Sequence, residues 1–152
     1  MREALLVLAA FLVMEPLTTL AHRYIFHGFG FAIHRSHHAE RTGIFETNDF
    51  YPLISALITM TIIAAGVFYR PVEFLIPVGF GMTVYGLLYF FIHDLVIHHR
   101  IEVLKRLQPL FRWHTKWHRL HHRFGREPYG LLLPLVLRRG EIHSPSHSVN
   151  MP

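Results

Sequence analysis

Two stretches of the chain carry neither a charged residue nor a histidine: Phe50 to Tyr69 and Phe74 to Ile92. Each is close to the about 20 mostly apolar residues that take a helix across a bilayer. The polar turn Tyr69-Arg70-Pro71-Val72-Glu73 between them reads as the bend of a helical hairpin. A third apolar run, Ala4 to Ala21, is interrupted by Glu15-Pro16 and leads directly into histidine-rich sequence; it reads as the first span. The pattern predicts an all-α integral membrane protein with about three transmembrane helices and a histidine-rich cap.

A cleavable signal peptide is the competing reading of the first run. That run reaches His22 with no convincing small-residue cleavage site, and cutting there would break the histidine pattern, so the start reads as mature.

Composition supports the membrane setting. A length of 152 residues suits a single domain, taken as 1-152. Hydrophobic residues make up 51% of the chain, yet the formal net charge is +5. That combination fits apolar spans with basic surfaces better than a soluble globule. Three spans place the segments after the first and third helices on one side. Arg23, Arg35, Arg41, Arg100, Lys105, Arg106, Arg112, Lys116, Arg119, Arg123, Arg126, Arg138 and Arg139 all fall there, and only Arg2 and Arg70 fall opposite. By the positive-inside rule the histidine face is cytoplasmic. Contact with anionic lipid is the plainer use of the same charge and gives the same orientation. Nothing beyond the charge supports a nucleic-acid role.

The chain has 14 histidines, and ten of them form two copies of one pattern, His-x4-His followed by His-x-x-His-His. The first copy is His22, His27, His34, His37 and His38; the second is His93, His98, His118, His121 and His122. With no cysteine, thiolate-ligated metals and disulfides are excluded, and nitrogen ligands are the obvious supply. Residues i, i+3 and i+4 share one face of an α-helix, so each His-x-x-His-His triplet can act as a metal-facing claw. The x4 pairs are harder, because five positions along an ideal helix turn the second side chain by about 140° from the first. Local π-type winding, or a site just beyond the helix tip, would let His22 converge with His27 and His93 with His98. Ten imidazoles divide into five for each of two metals, leaving a six-coordinate ion one position for oxygen, the arithmetic of an oxygen-activating dinuclear site. Imidazole suits iron, zinc and copper alike.

Other residues carry weaker signals. Asp94 and Glu15 can orient a ligand imidazole from outside, although Glu15 serves equally as a helix-packing hydrogen bond. Asn48 and Asp49 either reach the metal through water or cap the helix that begins near Phe50. His99 and His114 are substitutes for a neighbouring ligand, and His143 and His147 lie in a Ser- and Pro-containing tail that reads as solvated. Gly79, Gly81 and Gly86 permit close helix packing, a weak signal in membrane helices. Leu131 to Leu137 is too short to span and reads as an interfacial or re-entrant piece.

The strings Ala21-His22-Arg23-Tyr24-Ile25-Phe26-His27-Gly28, His34-Arg35-Ser36-His37-His38, Phe45-Glu46-Thr47-Asn48-Asp49, Tyr85-Gly86-Leu87-Leu88-Tyr89-Phe90, His93-Asp94 and His118-Arg119-Leu120-His121-His122 resemble those of bacterial β-carotene 3-hydroxylases, within the fatty-acid-hydroxylase and sterol-desaturase superfamily. The resemblance covers almost the whole chain. It implies a non-haem di-iron monooxygenase with two iron ions, using O2 and two electrons from a soluble ferredoxin-type donor to replace a ring C–H by C–OH. The implied substrate is a carotenoid dissolved in the lipid bilayer, β-carotene passing through β-cryptoxanthin to zeaxanthin, with Tyr85, Tyr89 and Phe90 lining a pocket for the ring; as aromatic residues on a span they serve equally as lipid or helix contacts. A basic face would steer an acidic donor. The chain departs from the pattern after the last triplet: Gly125-Arg126-Glu127 is similar to the usual link, but Pro128-Tyr129-Gly130-Leu131-Leu132-Leu133 is shortened, which leaves substrate selection open. The enzymatic alternative keeps the di-iron site and changes the substrate to a fatty acyl or sterol lipid. A haem binder would need only one or two axial histidines, and a metal carrier would place polar ligands inside its spans.

Overall fold

The computed structural model of the chain describes residues 1–39, 43 and 45–134. Arg41, Arg138, Arg139, His143, His147 and Leu135 to Leu137 lie outside the described residues. The described residues form helices and turns, with no strand among them. Three helical stretches are long and apolar enough to cross a membrane: Arg2–Phe29, Thr47–Phe68 and Leu75–Ile97. They contain α1 (Arg2–Ala21), α3 (Phe50–Phe68) and α4 (Leu75–Phe90); α2 (Phe31–His34) is a single turn after the first span, and α5 (Arg112–Phe124) follows the third.

The hairpin expected between the second and third apolar runs is present, closed by a tight turn over Arg70–Val72. α4 is the central element, packed on one side by α1 and on the other by α3. Close packing depends on missing side chains: a Cβ at Gly81 would collide with the Val7 carbonyl of α1, and one at Gly79 with the Ile63 side chain of α3. Gly86 differs, since a Cβ there would meet nothing within 4 Å. Leu5, Leu8 and Leu12 on α1 and Leu53, Leu57 and Met60 on α3 are exposed, as expected of side chains whose solvent is hydrocarbon.

The first and third spans run further than the apolar pattern alone requires. After Ala21 the first helix continues through His22–Phe29, and after Phe90 the third continues through Phe91–Ile97, in each case as wider π winding. The third span therefore does not stop at Ile92 but carries His93 and Asp94 within it. Among buried hydrophobic residues, Ile92 and Ile97 of this stretch pack with Leu131. The described part of the expected interfacial piece thus folds back on the third span. Most of the other buried side chains are polar, and six are histidines: His22, His34, His37, His93, His118 and His121.

Candidate metal centre

The π winding solves the geometric problem of the x4 pairs. A π turn closes an i→i−5 hydrogen bond, which brings residues five apart one above the other. Such a bond joins the two members of the second pair, His98 N to His93 O at 2.9 Å, and another closes the first winding, Gly30 N to Ile25 O at 2.8 Å. The rings of His22 and His27 consequently stand 5.1 Å apart, and those of His93 and His98 4.8 Å apart.

The ten imidazoles gather into adjoining groups at one end of the bundle. His22, His27, His34, His38 and His121 place one ring nitrogen each within 4.8 Å of the others, and so do His37, His93, His98 and His118. His122 stands between them, its Nε2 3.1 Å from His37 Nε2 and its ring stacked on His38 at 4.2 Å. The two triplets do not each serve one group, as a simple claw would. Neighbouring residues on a helix diverge by about 100°, so a His-His pair points to two sides. His37 parts from His38 and crosses to the second group, while His121 parts from His122 and crosses to the first. α5 is regular α-helix through its triplet; the first triplet begins in α2 and ends in the tighter turn Arg35–His38.

Oxygen acceptors behind the rings fix their tautomers. His22 Nδ1 donates to the Tyr129 carbonyl at 2.8 Å, and His121 Nδ1 donates to the Arg126 carbonyl at 2.7 Å. His34 Nδ1 donates to Asn48 Oδ1 at 2.7 Å and His93 Nδ1 to Asp94 Oδ2 at 3.0 Å. With the proton on Nδ1, Nε2 presents a bare lone pair. Yet His22 and His34, both protonated on Nδ1, bring their Nε2 atoms to 3.1 Å. His93 Nε2 is buried with no hydrogen-bond partner. Lone pairs converging without protons, in a site whose other side is desolvated, are what a cation would satisfy, and the donor set fits a metal that accepts imidazole. Burial also keeps the rings neutral: it pulls His34 down to about 4, His121 to about 3 and His122 to about 2, with the neighbouring imidazoles adding to the effect at His121 and His122. His37, His98 and His118 are held well below the usual histidine value by the same burial.

The remaining singled-out residues take definite places. Asp94 stands behind His93 rather than behind His98, and it also meets Arg100 Nε at 3.3 Å. Asn48 holds His34 and does not cap α3. Asp49 accepts the Glu46 backbone N–H at 3.0 Å, in a reciprocal cap with the Glu46 side chain, and pairs with Arg100. Glu15 touches no histidine ring: Tyr85 O–H donates to its Oε2 at 2.6 Å and Leu133 N–H to its Oε1 at 2.9 Å. His99 and His114 stand outside both groups. Gln108 Nε2 donates to His99 Nε2 at 3.0 Å, and His114 packs against Phe111 and Trp113. The backbone acceptors at Arg126 and Tyr129 were not foreseeable by residue type, because every residue has a carbonyl.

A cavity of about 410 Å³ runs between the spans to this centre. Tyr85, Tyr89 and Phe90 line it, with Met14, Phe26 and Met60, and His34 and His93, one from each imidazole group, stand at its inner end beside Asn48 and Asp94. Gly86 lies on its wall.

Fold and site together define a helical membrane protein with two adjoining imidazole groups at the end of an apolar cavity. The chain belongs to the fatty acid hydroxylase family, whose model matches residues 7–138. Among its relatives, the beta-carotene hydroxylase of Pseudescherichia vulneris is 42% identical over 131 residues, covering 82% of this chain and 71% of that protein. The beta-carotene hydroxylase of Pantoea ananas is 40% identical over 123 residues, covering 79% and 68%. A chloroplastic beta-carotene 3-hydroxylase from an Oncidium hybrid cultivar is 38% identical over 125 residues; they cover 79% of this chain and 41% of that longer protein. No solved structure matches the chain.

Proposed function

We propose that the chain is an O2-dependent carotenoid ring hydroxylase, converting β-carotene through β-cryptoxanthin to zeaxanthin with two iron ions held by the ten patterned histidines. The observation that carries the reading is the cavity: an apolar chamber opening among membrane spans whose inner wall includes one imidazole from each group. A carotenoid is a long hydrocarbon with a cyclic end. Its ring fits an apolar chamber of this size while the polyene remains in lipid. The relatives named beta-carotene hydroxylase, similar over about four-fifths of this chain, support the same substrate.

His22, His27, His34, His38 and His121 would hold one ion and His37, His93, His98 and His118 the other, with His122 at their junction. Bound iron would supply activation of dioxygen, with two electrons from outside. The chain's own residues do the rest. Asn48, Asp94 and the backbone carbonyls of Arg126 and Tyr129 keep Nδ1 protonated and aim Nε2 inward. Tyr85, Tyr89 and Phe90 orient the ring and exclude water, which favours attack on an unactivated C–H bond over side reactions. The excess of Arg and Lys on the histidine side supports a cytoplasmic orientation for that face. There α5 exposes a stripe of Arg112, Lys116, Arg119 and Arg123 on the side of the helix away from His118 and His121. An acidic ferredoxin-type donor seated on it would stand one helix from the metals.

Expression in cells that accumulate β-carotene, with pigments separated by chromatography and weighed by mass spectrometry, tests the assignment. Products heavier by one and two oxygens, absent with His121→Ala, are expected. Unchanged β-carotene despite well-expressed, iron-loaded protein and a competent donor would overturn the carotenoid assignment, and the family's name makes fatty acyl lipids the next substrates to assay.

A further inference from the structure

Glu15 is a carboxylate in the middle of the first membrane span, 7% exposed, and no step of the hydroxylation uses it. An acidic group placed there is costly unless its oxygens are satisfied. Both are: Tyr85 of α4 donates to Oε2 and the Leu133 backbone N–H to Oε1. Leu133 lies on the strap that leaves α5 at Gly125, and residues 126–133 of that strap contain no helix. A segment without regular hydrogen bonding is placed only by what it touches. The strap nevertheless supplies two critical acceptors, the Arg126 carbonyl for His121 and the Tyr129 carbonyl for His22. Its Tyr129 ring also packs on the rings of His22, His27 and His121 at 5.3 to 5.5 Å. Every one of these histidines belongs to the first group and none to the second.

The strap is held by the packing of Leu131 on Ile92 and Ile97, by a hydrogen bond between His114 and the Leu132 backbone, and by three further contacts. Gly125, left-handed at φ 61, turns the chain out of α5 while its N–H bonds the His121 carbonyl at 2.7 Å. Arg23, next to His22, pairs with Glu127 at 2.8 Å. Leu133 rests on Glu15, and the fit there is close: a Cβ at Gly130 would stand 2.8 Å from Glu15 Oε1, 2.8 Å from the Leu133 carbonyl oxygen of the strap itself and 2.9 Å from Thr19 Oγ1.

We propose that Glu15 is a positioning residue for one of the two metals: by anchoring the far end of the 126–133 strap it sets the outer hydrogen bonds of His22 and His121, and so governs occupancy of the first imidazole group selectively. The inference rests on the two-metal reading above, and the experiment separates them. Full-length protein in detergent is loaded with ⁵⁷Fe, and iron per folded chain is measured by mass spectrometry and Mössbauer spectroscopy for wild type, Glu15→Ala, Glu15→Gln and Gly130→Val. Wild type binding fewer than two irons would overturn the two-metal reading itself. With two in the wild type, Glu15→Ala is expected to weaken iron at one site about 10- to 100-fold, the usual effect of losing a ligand's outer partner. One spectral component then disappears while the other is unchanged. Glu15→Gln, whose amide oxygen still accepts the Leu133 N–H and whose NH2 can donate to the Tyr85 oxygen, restores it. Gly130→Val, which lifts the strap from the opposite side, reproduces the selective loss and supplies the test if Glu15→Ala does not fold. Two irons of wild-type affinity in either folded variant, equal loss of both components, or no rescue by Gln would each overturn the proposal.

Discussion

A histidine bound to metal through Nε2 needs a partner on Nδ1, and four of the ten rings have a named one. His93 relies on Asp94 and His34 on Asn48. Replacing Asp94 by Ala is therefore expected to lower metal affinity about 10- to 100-fold, since the proton on His93 Nδ1 loses its acceptor; titration of the metal-free protein with Fe²⁺ measures it. Unchanged affinity would show that the acceptor behind His93 is dispensable. His121→Ala, which removes a ring buried completely among the others, should abolish detectable hydroxylation. At this scale the residue types were legible in the sequence, because imidazole repeated at ligand spacing has few other uses. The assignment of partners was not. Asp94 serves its sequence neighbour His93 and not His98, and Asn48 reaches back to His34; both pairings depend on backbone turns that spacing alone leaves open.

Among the elements, a departure from regular α-helix at the x4 pairs was legible, because five-residue spacing between histidines that must converge is incompatible with it; π winding was one of two readings, beside a site just beyond the helix tip, and it is the one present. The crossing of His37 and His121 between groups was not, since it depends on how α5 lies against the end of the first span, a tertiary matter. Two predictions belong to single elements. On α4, Gly86 leaves open space on the cavity wall, so Gly86→Leu should fill part of the chamber and cut turnover of β-carotene at least about tenfold while leaving metal content unchanged, because steric exclusion from a pocket costs on the order of 1–3 kcal/mol or more. Full activity would place the ring elsewhere. On α5, reversing Arg112, Lys116, Arg119 and Arg123 to glutamate should raise the KM for an acidic donor and flatten its salt dependence, with little change in activity driven by a neutral chemical reductant. An unaltered KM would remove the stripe from the electron path.

For the molecule as a whole, the spans and the gathering of the histidines at one end follow from hydrophobic pattern and parity: three crossings put both histidine sets on the same side. The cavity was legible only through the resemblance, which named Tyr85, Tyr89 and Phe90; its shape is the space left among α1, α3 and α4, and the strap works through backbone carbonyls that carry no sequence signature. Collecting many buried neutral imidazoles has a consequence for stability. His34, His121 and His122 are held at about 4, 3 and 2 in the folded protein, against 6.5 when exposed. Below pH 6.5 the unfolded chain takes up protons that the folded cluster refuses, so stability is fully present above that value and falls as pH drops toward 4. The metal-free protein should melt at progressively lower temperature from pH 7 to pH 4.5, and the dependence should weaken in variants lacking His121 and His122. A melting temperature indifferent to pH in this range would mean that the rings are solvated.

The central claim is that this membrane-embedded histidine cluster inserts an atom of dioxygen into a carotenoid ring. Turnover of β-carotene by the purified, iron-loaded protein under ¹⁸O2 in ordinary water, with a reduced ferredoxin and mass analysis of the product, tests it most directly. Zeaxanthin whose ring hydroxyls carry ¹⁸O is the expected product. Hydroxyls carrying only ¹⁶O from water, or no ring hydroxylation with the donor shown to be turning over, would contradict it.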